Sequence, residues 1–328
     1  MARVLITGAS GFIGSHLARA CLARGDAVSV LLRPASRLDR LQGIAPQLQL
    51  LRAPPQDPAA LAAALAAARP QILFHAAAAT RFRAEPGLED LGRSIGDNLL
   101  PLTALLGAAA AAAEPPQVLV RLGTIAEYGA GPERFSETAR EAPLNAYGAS
   151  MLAATRYLEM AQPRLPFAAA TARLALTYGP GQSQDFLIPQ LARNLTAGRV
   201  TELRSPHSRR ELIHVEDAVA GLLAIAARPA AAGPVVNLGS GLAPDMAELA
   251  ALMARLAQAP QALIRLPAEA AAGRGTGSLL HTDTSRIRSR LGWAPQFTLA
   301  EGLERILQWE QQMLQTPAGA QKQDRKQA

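Results

Sequence analysis

The sequence has 328 residues, 49% of them hydrophobic, which is enough apolar material for one large domain or two interlocked ones. Its formal charge of +7 comes almost wholly from scattered arginines, with no basic helix interleaved with aromatics, so nucleic acid is disfavoured as a partner and small anionic ligands are favoured. The single cysteine, Cys21, excludes an intrachain disulfide, and with no signal-like start or long apolar stretch we expect a cytoplasmic protein without a membrane partner.

Short apolar runs alternate with helix-like stretches along the first half of the chain. The runs RVLITG, AVSVLLR, QLQLLRA, QILFHAA and QVLVRLG lack clean alternation, which is typical of strands buried on both faces. Between them lie GSHLARACLARG, PAALAAALAAARP and NLLPLTALLGAAAAAA, whose alanines favour helix. The pattern predicts an α/β fold with a doubly wound parallel sheet and helices on both faces.

The second half of the chain predicts a division into two parts. Strand and helix character breaks into Gly and Pro turns after the next strand, FAAATARLAL, and resumes in ELIHVEDAVAGLLAIAA. We predict a dinucleotide-binding domain over residues 1–176, to which 211–239 return. We expect a smaller substrate-binding lobe over 177–210 and 240–314, and a disordered polar tail over 315–328.

A glycine-rich loop joins the first predicted strand to the first helix. In TGASGFIGSHL, the three glycines suit a tight turn, a close approach to a pyrophosphate and a close helix–strand contact. Their place between a strand and a helix makes this spacing specific for dinucleotide binding. The cofactor-binding candidates here are Gly8, Ser10, Gly11, Phe12, Ile13 and Gly14.

The end of the second strand predicts which cofactor is preferred. An acidic residue there would bond a free ribose hydroxyl, whereas arginine accommodates a 2′-phosphate. The chain has Arg33 at that place and Arg37 close behind. We therefore expect NADP(H) to be preferred, with NAD(H) possible.

Taken in order, these motifs resemble the extended short-chain dehydrogenase/reductase family, the NAD-dependent epimerase/dehydratase group that acts largely on nucleotide sugars. The resemblance covers nearly the whole ordered chain and rests on TGASGFIG, LFHAAA, Asn98 in DNLLPLTALL, GTIAEYG, NAYGAS, RLALTYGPGQ, RRELIHVEDAVAGLL and NLGSG. It implies a Rossmann domain whose cofactor site includes Ala76, Ala77 and Tyr147, a C-terminal lobe that closes over a nucleotide sugar, and a homodimer.

The resemblance also implies two catalytic side chains. Thr124 matches the family's Ser/Thr four residues before a Tyr-Gly pair, and Tyr147 matches its catalytic tyrosine. In the family the tyrosine exchanges a proton with a sugar hydroxyl or carbonyl while hydride moves, and the Ser/Thr bonds the same oxygen. A phenol beside a hydroxyl suits this acid–base role once its pKa is adjusted.

The chain departs from the family four residues after Tyr147, where Met151 replaces lysine. A cation about 5 Å away, at an effective dielectric near 20, moves the pKa of a phenol by roughly two units. The only lysines, Lys322 and Lys326, lie in the polar tail, and Arg156 falls on the opposite helix face. An arginine from another segment, Arg121 or Arg81, is left as a possible replacement.

Further departures from the family concern contacts with the substrate and with the cofactor. Ile125 and Ala126 stand where the family's dehydratases carry acidic residues, which argues against dehydration. Leu176 replaces an asparagine that touches substrate phosphate, and Pro54 replaces an aspartate that contacts adenine.

The remaining candidates are weaker. The resemblance places Arg210, Leu176 and Tyr128 at the substrate, and a guanidinium such as that of Arg210 suits a phosphate. His75 and His214 lack partners at metal spacing, so no metal is predicted.

We therefore expect an NAD(P)-dependent oxidoreductase of nucleotide sugars that reduces a 4-keto sugar. A nucleotide-sugar 4-epimerase is the alternative enzyme. A catalytically silent dinucleotide-binding protein is the alternative of another class, suggested by Met151, Leu176 and Pro54.

Overall fold

The computed structural model of the protein describes residues 1–131, 134–267 and 278–315. The chain divides into two compact units, each made of three segments. The first unit comprises Met1–Thr177, Glu211–Ala243 and Leu279–Pro295, and the second comprises Tyr178–Arg210, Pro244–Ser278 and Gln296–Ala328.

The elements follow one another in the predicted alternation. The strands are β1 (Arg3–Thr7), β2 (Ala27–Leu32), β3 (Gln49–Arg52), β4 (Ile72–His75), β5 (Val118–Thr124), β6 (Ala168–Leu174), β7 (Leu176–Tyr178), β8 (Thr201–Glu202), β9 (Arg209–Arg210), β10 (Leu212–His214), β11 (Val235–Leu238), β12 (Ile264–Arg265) and β13 (Leu279–Leu280). The described helices are α1 (Phe12–Ala23), α2 (Pro58–Ala68), α3 (Glu89–Ser94), α4 (Leu100–Ala110), α5 (Ala146–Ala161), α6 (Leu187–Thr196), α7 (Val215–Ala227), α8 (Pro229–Ala232), α9 (Met246–Leu256), α10 (Ser285–Leu291) and α11 (Leu299–Gln315). Shorter turns include a π-helical turn at Ile95–Leu99 and a 3-10 turn at Ile125–Glu127.

The first unit is built on a seven-stranded sheet in the order β11-β6-β5-β4-β1-β2-β3. The neighbouring strands pair in parallel, for example Thr7 with Leu31 and with His75. This confirms the predicted doubly wound parallel sheet. The strand order reverses between β1 and β4, and in such sheets ligands bind at the carboxyl ends of the strands beside that point.

Two apolar clusters form the core of the first unit. Alternate residues of a strand point to opposite faces of the sheet. Accordingly, Val4 and Ile6 belong to a cluster with α1 and α7, whereas Leu5 belongs to one with α2, α4 and α5. The central strands are buried on both faces, which explains their continuous apolar runs.

Local signals set the helix ends of this unit. The carboxylate of Asp57 accepts hydrogen bonds from the amides of Ala59 and Ala60, and Pro58 occupies the first turn of α2. Asn145 caps α5 in the same way by accepting from the Gly148 amide at 2.8 Å. The alanine-rich helix α2 therefore begins at a side-chain cap, as does α5.

One predicted boundary is corrected by the structure. Residues 279–295, assigned from sequence to the smaller lobe, belong to the first unit, as do 240–243. The buried carboxylate of Glu211 accepts from both the amide and the hydroxyl of Thr282, at 2.7 and 2.6 Å, and Asn237 donates to the Asp283 carbonyl at 3.0 Å. These long-range bonds satisfy polar groups that would otherwise be buried alone.

The second unit is smaller and mostly helical. Helices α6, α9 and α11 pack together, and β8 pairs in parallel with β12. Gln184 donates to Glu310, whose carboxyl pKa is raised by burial. Gln315 ends α11, so the predicted tail 315–328 begins one residue too early, and the rest of it lies outside the described residues. In the part of the chain that the structure describes, we find no helix with the length and apolarity to cross a bilayer.

Candidate active site

The glycine loop after β1 is shaped by backbone contacts. Gly8 has φ +71°, and a Cβ there would lie 2.5 Å from the Ala77 nitrogen. A Cβ on Gly14 would lie 2.3 Å from the Gly8 carbonyl oxygen. The amide of Gly11 donates to that same oxygen at 2.9 Å and precedes α1 directly. The loop therefore requires glycine at Gly8 and Gly14, and it presents the N-terminus of α1 to an anion.

A cleft of about 350 Å³ lies at the carboxyl ends of β1, β2 and β4. This volume is within the range of small-molecule sites. Six of the predicted cofactor-binding residues line it, namely Gly8, Ser10, Gly11, Arg33, Ala76 and Ala77. Phe12, Ile13 and Gly14 instead form the first turn of α1 behind the loop. A glycine cradle that lines a cleft of this size fits a dinucleotide.

The sequence analysis missed the apolar wall of this cleft. Leu31, Leu61 and Leu105 line it from β2, α2 and α4, and Gln56 lines its edge while donating to the Gly96 carbonyl at 2.8 Å. In the sequence, each of these residues occupies an ordinary core or loop position and carries no signal of a binding site. Their common surface suits a flat aromatic base.

The segment after β2 places Arg33 at the cleft. Its side chain is exposed, and its backbone is held by Arg52, a residue the sequence analysis did not single out. The Arg52 guanidinium donates to the carbonyls of Arg33, Pro34 and Ser36 at 3.2, 2.7 and 3.3 Å. Arg37 instead forms an exposed ion pair with Asp39 at 3.0 Å. Of the two arginines predicted to bind the cofactor, Arg33 lines the cleft, whereas Arg37 is paired with Asp39.

Asn98 fixes the loop that follows β4. Its side-chain oxygen accepts from the Ala79 amide at 2.7 Å, and its side-chain nitrogen donates to the Ala79 carbonyl at 3.0 Å and to the Ser150 hydroxyl at 2.9 Å. Ser150 in turn donates to the Tyr147 carbonyl at 2.9 Å. These bonds therefore fix the position of the loop relative to the first turns of α5.

The two predicted catalytic residues are brought together. The phenol of Tyr147, which is half-buried at the start of α5, hydrogen-bonds the side chain of Thr124 at the end of β5. Burial raises the pKa of Tyr147, the Thr124 bond lowers it, the carboxylate of Glu127 raises it and the guanidinium of Arg121 lowers it, with a net rise. At neutral pH the phenol therefore keeps its proton.

Met151 is buried against an arginine from β5. The Arg121 Nη2 donates to the Met151 carbonyl at 3.0 Å and contacts its sulfur at 3.4 Å, while Nη1 donates to the Thr155 hydroxyl at 2.9 Å. Arg81, the other arginine considered from sequence, is exposed. The position four residues after Tyr147 is therefore apolar but lies directly against a positive charge.

This arginine belongs to a buried ionic network. Glu127 lies 3.8 Å from Arg121 and 2.7 Å from Arg173, and Arg173 also pairs with Glu141 at 2.7 Å. Arg156 pairs with Glu141 from the surface at 2.6 Å. Because cations and carboxylates alternate, each buried charge has a partner of opposite sign.

The predicted substrate contacts have different surroundings. Tyr128 is 1% exposed, donates to the Asn237 side chain at 2.7 Å and packs under the Arg173 guanidinium, so its hydroxyl is a core group. Leu176 is exposed, whereas Arg210 is engaged with Ser278 through two bonds of 2.6 Å. The interpretation of Tyr128 as a substrate contact is at odds with its burial, which the Tyr-Gly motif does not reveal.

His75 is buried beside the cleft and hydrogen-bonds Thr7 at 2.8 Å. Burial, assisted by the charge of Arg121, lowers the His75 pKa to about 3, so the ring stays neutral. Across the described ranges, no group of three or more His, Cys, Asp or Glu side chains is arranged to hold a metal ion.

The doubly wound sheet, the glycine cradle and the Thr124–Tyr147 pair define a dinucleotide-dependent enzyme of the Rossmann type. The chain belongs to the NAD dependent epimerase/dehydratase family, whose signature matches residues 4–239. The family resemblance predicted from the motifs is therefore confirmed.

Known relatives span nearly the whole chain. The dTDP-6-deoxy-L-talose 4-dehydrogenase (NAD(P)(+)) of Kitasatospora kifunensis is 31% identical over 313 residues, which are 93% of this chain and 94% of that protein. The UDP-glucose 4-epimerase of Mycolicibacterium smegmatis (strain ATCC 700084 / mc(2)155) is 29% identical over 94% of this chain and 98% of its own. The solved structure of MoeE5 in complex with UDP-glucose and NAD is 26% identical, covers 95% of this chain and 99% of its own, and has a TM-score of 0.79.

Proposed function

We propose that the protein reduces the 4-keto group of a nucleotide-linked sugar, or oxidises the corresponding hydroxyl in reverse. The observation that carries this proposal is the bond between Thr124 and a protonated Tyr147, in the same unit that holds the glycine cleft. The similarity to a nucleotide-sugar 4-dehydrogenase supports the same reaction class.

The chain supplies a proton donor and an orienting hydroxyl for this reaction. A nicotinamide cofactor bound in the cleft would supply the hydride. Tyr147 donates its proton to the carbonyl oxygen, and Thr124 hydrogen-bonds the same oxygen, so the negative charge that develops there is neutralised. Asn98 and Ser150 hold the first turns of α5 and thereby fix the phenol.

The protonation state of Tyr147 favours reduction over the alternatives. Epimerisation and dehydration begin with oxidation, which requires a deprotonated tyrosine as base, whereas reduction begins with a neutral one. The raised pKa of Tyr147 suits the second case. Ile125 is fully buried and Ala126 is apolar, so neither can act as an acid in dehydration. The similarity to a UDP-glucose 4-epimerase keeps epimerisation as the second candidate.

We propose NADP(H) as the preferred cofactor, with NAD(H) also accepted. Arg33 supports this preference because its exposed guanidinium lines the cleft at the end of β2, where a 2′-phosphate is accommodated in this fold. The similar MoeE5 structure contains NAD, so the family site also takes the unphosphorylated cofactor.

A panel of nucleotide-linked 4-keto sugars, assayed for oxidation of NADPH and of NADH, tests the reaction. Tyr147→Phe should abolish turnover while sparing cofactor binding. Tyr157→Phe, on the exposed face of the same helix, is the matched control and should leave turnover unchanged. Unchanged turnover in Tyr147→Phe would exclude the assignment of Tyr147 as the proton donor.

The same assays distinguish the alternative functions. Cofactor binding without turnover on any substrate would favour the silent dinucleotide-binding protein. Interconversion of substrates without net cofactor consumption would favour the epimerase.

We also propose a homodimer in the cytoplasm. Leu91 and Ile95 at α3, with Tyr157 and Met160 on the neighbouring α5, are each between 44% and 57% exposed. Exposed apolar side chains on adjacent helices are typical of an interface between copies. Light scattering of the purified protein, with Met160→Glu as a disrupting variant, tests the dimer, and cell fractionation tests the location.

A further inference from the structure

A buried positive charge lies against α5 one turn beyond Tyr147. Arg121 is 1% exposed, and three bonds fix its guanidinium to the Met151 backbone, the Met151 sulfur and the Thr155 hydroxyl. Met151 is itself 3% exposed. Tyr147 and Met151 are four residues apart on one helix and so share a face. The cation is therefore fixed to the helix that carries Tyr147, and it lowers the pKa of the phenol.

An opposing charge faces the same tyrosine. Glu127 lies 3.8 Å from Arg121 and accepts from the Thr124 amide at 3.1 Å, while its other oxygen is 2.7 Å from Arg173. Among the described residues, the groups that act on Tyr147 are thus the neutral Thr124, the anion of Glu127 and the cation of Arg121. Removal of Arg121 leaves the anion of Glu127 acting on the phenol, and removal of Glu127 leaves the cation of Arg121.

We propose that Arg121 is a positioning residue that supplies, from β5, the positive charge needed to stabilise Tyr147 after it has given up its proton. This inference rests on the proposed function. The O–H bond of Tyr147 breaks and the proton goes to the keto oxygen, which leaves a phenolate beside Arg121 until solvent reprotonates it. Because Arg121 is buried, it acts through its field and does not touch the cofactor. Lysine at position 151 would supply this charge from α5 itself, whereas in this chain the charge comes from β5.

Charge variants with opposite expected signs test the inference. Tyr147 ionisation is followed by NMR of tyrosine isotopically labelled at Cζ in the NAD+-bound protein, with Tyr147→Phe assigning the signal. The pH profile of alcohol oxidation is measured in parallel. Arg121→Met should raise the ionisation pH of Tyr147, because it removes the cation that lowers the pKa of this phenol, and Glu127→Gln should lower it, because it removes the anion that raises it.

Two further variants separate charge from structure. The double variant R121M/M151K should bring the ionisation pH back towards that of the unmodified protein, because it moves the cation from β5 to α5. Arg156→Met is the matched control, since it removes a half-exposed cation of the same ionic network on α5 and should leave the ionisation pH unchanged.

Each outcome decides the inference. Lower stability in Arg121→Met with no change in Tyr147 ionisation would make Arg121 a purely structural residue and overturn it. If Arg121→Met does not fold, Glu127→Gln and the double variant carry the test, and no shift in either would overturn the inference. If no nucleotide sugar is turned over, the proposed function fails but the NMR measurement still tests the role of Arg121.

Discussion

The hydroxyl of Thr124 and the phenol of Tyr147 are hydrogen-bonded between the end of β5 and the start of α5. Thr124 also accepts from the Ala126 amide at 3.2 Å, and its own amide donates to Glu127 at 3.1 Å, so a capping box fixes its orientation. The pair is thus held by local backbone geometry on one side and by a capped helix on the other. The hydrogen bond brings together the two hydroxyl groups that we propose act on the substrate carbonyl.

Replacement of Thr124 tests this arrangement. Thr124→Val keeps the shape but removes the hydroxyl that bonds Tyr147 and that, in the proposed reaction, bonds the substrate oxygen. We expect kcat to fall by about 100- to 1000-fold, as for loss of one donor to a developing oxyanion. Thr124→Ser keeps the hydroxyl and should retain most activity. Steady-state kinetics checks both, and equal loss in the two variants would contradict a role for the hydroxyl.

The glycine cradle gives a second prediction. Gly14→Ala would place a Cβ 2.3 Å from the Gly8 carbonyl, and the backbone has to move to relieve the overlap. We expect a loss of about 1–3 kcal/mol in the free energy of unfolding, together with weaker cofactor binding. Gly107→Ala on α4 is the control, because a Cβ there meets no atom within 4 Å, and it should be neutral or stabilising. Denaturant unfolding and fluorescence titration with NADPH provide the measurements, and unaltered binding in Gly14→Ala would argue against the cradle.

Cofactor preference is tested at the two arginines after β2. Arg33→Ala should weaken NADPH binding by about 10- to 100-fold, which corresponds to loss of a charge-assisted bond of about 1.5–3 kcal/mol. Binding of NADH, which lacks the phosphate, should change little. Arg37→Ala should leave both affinities unchanged, because Arg37 pairs with Asp39. Calorimetric titration distinguishes these results, and equal loss of NADH and NADPH binding would refute the phosphate role.

Alkaline stability is predicted from Cys21. Burial, with a smaller effect of Asp26, raises the pKa of this thiol from 9.0 to about 12. Between these values the unfolded chain has released a proton that the folded protein retains, so stability decreases as pH rises. The expected loss is about 1.4 kcal/mol per pH unit across this window. Cys21→Ala should lose less stability between pH 9 and 12, as measured by urea unfolding at several pH values. An equal loss of stability with pH in the unmodified protein and in Cys21→Ala would contradict this role of Cys21.

Much of the fold could be predicted from sequence because its signals are local. Apolar runs alternating with alanine-rich helices specify the parallel sheet, and a strand, three spaced glycines and a helix specify the cradle. The Thr124–Tyr147 pair could be expected from motif spacing through the family resemblance. Each of these depends on neighbouring residues, whose geometry is set by the period of a helix or strand.

The remaining features were decided only by tertiary structure. Arg121 reaches Met151 because β5 packs against α5, and neither residue by itself predicts the contact. Tyr128 lies in the core because Asn237, far along the chain, accepts its hydroxyl. Residues 279–295 join the first unit because the buried carboxylate of Glu211 takes its partners there. A buried charge or polar group needs a partner, and the fold, not the neighbouring sequence, determines which residue that partner is.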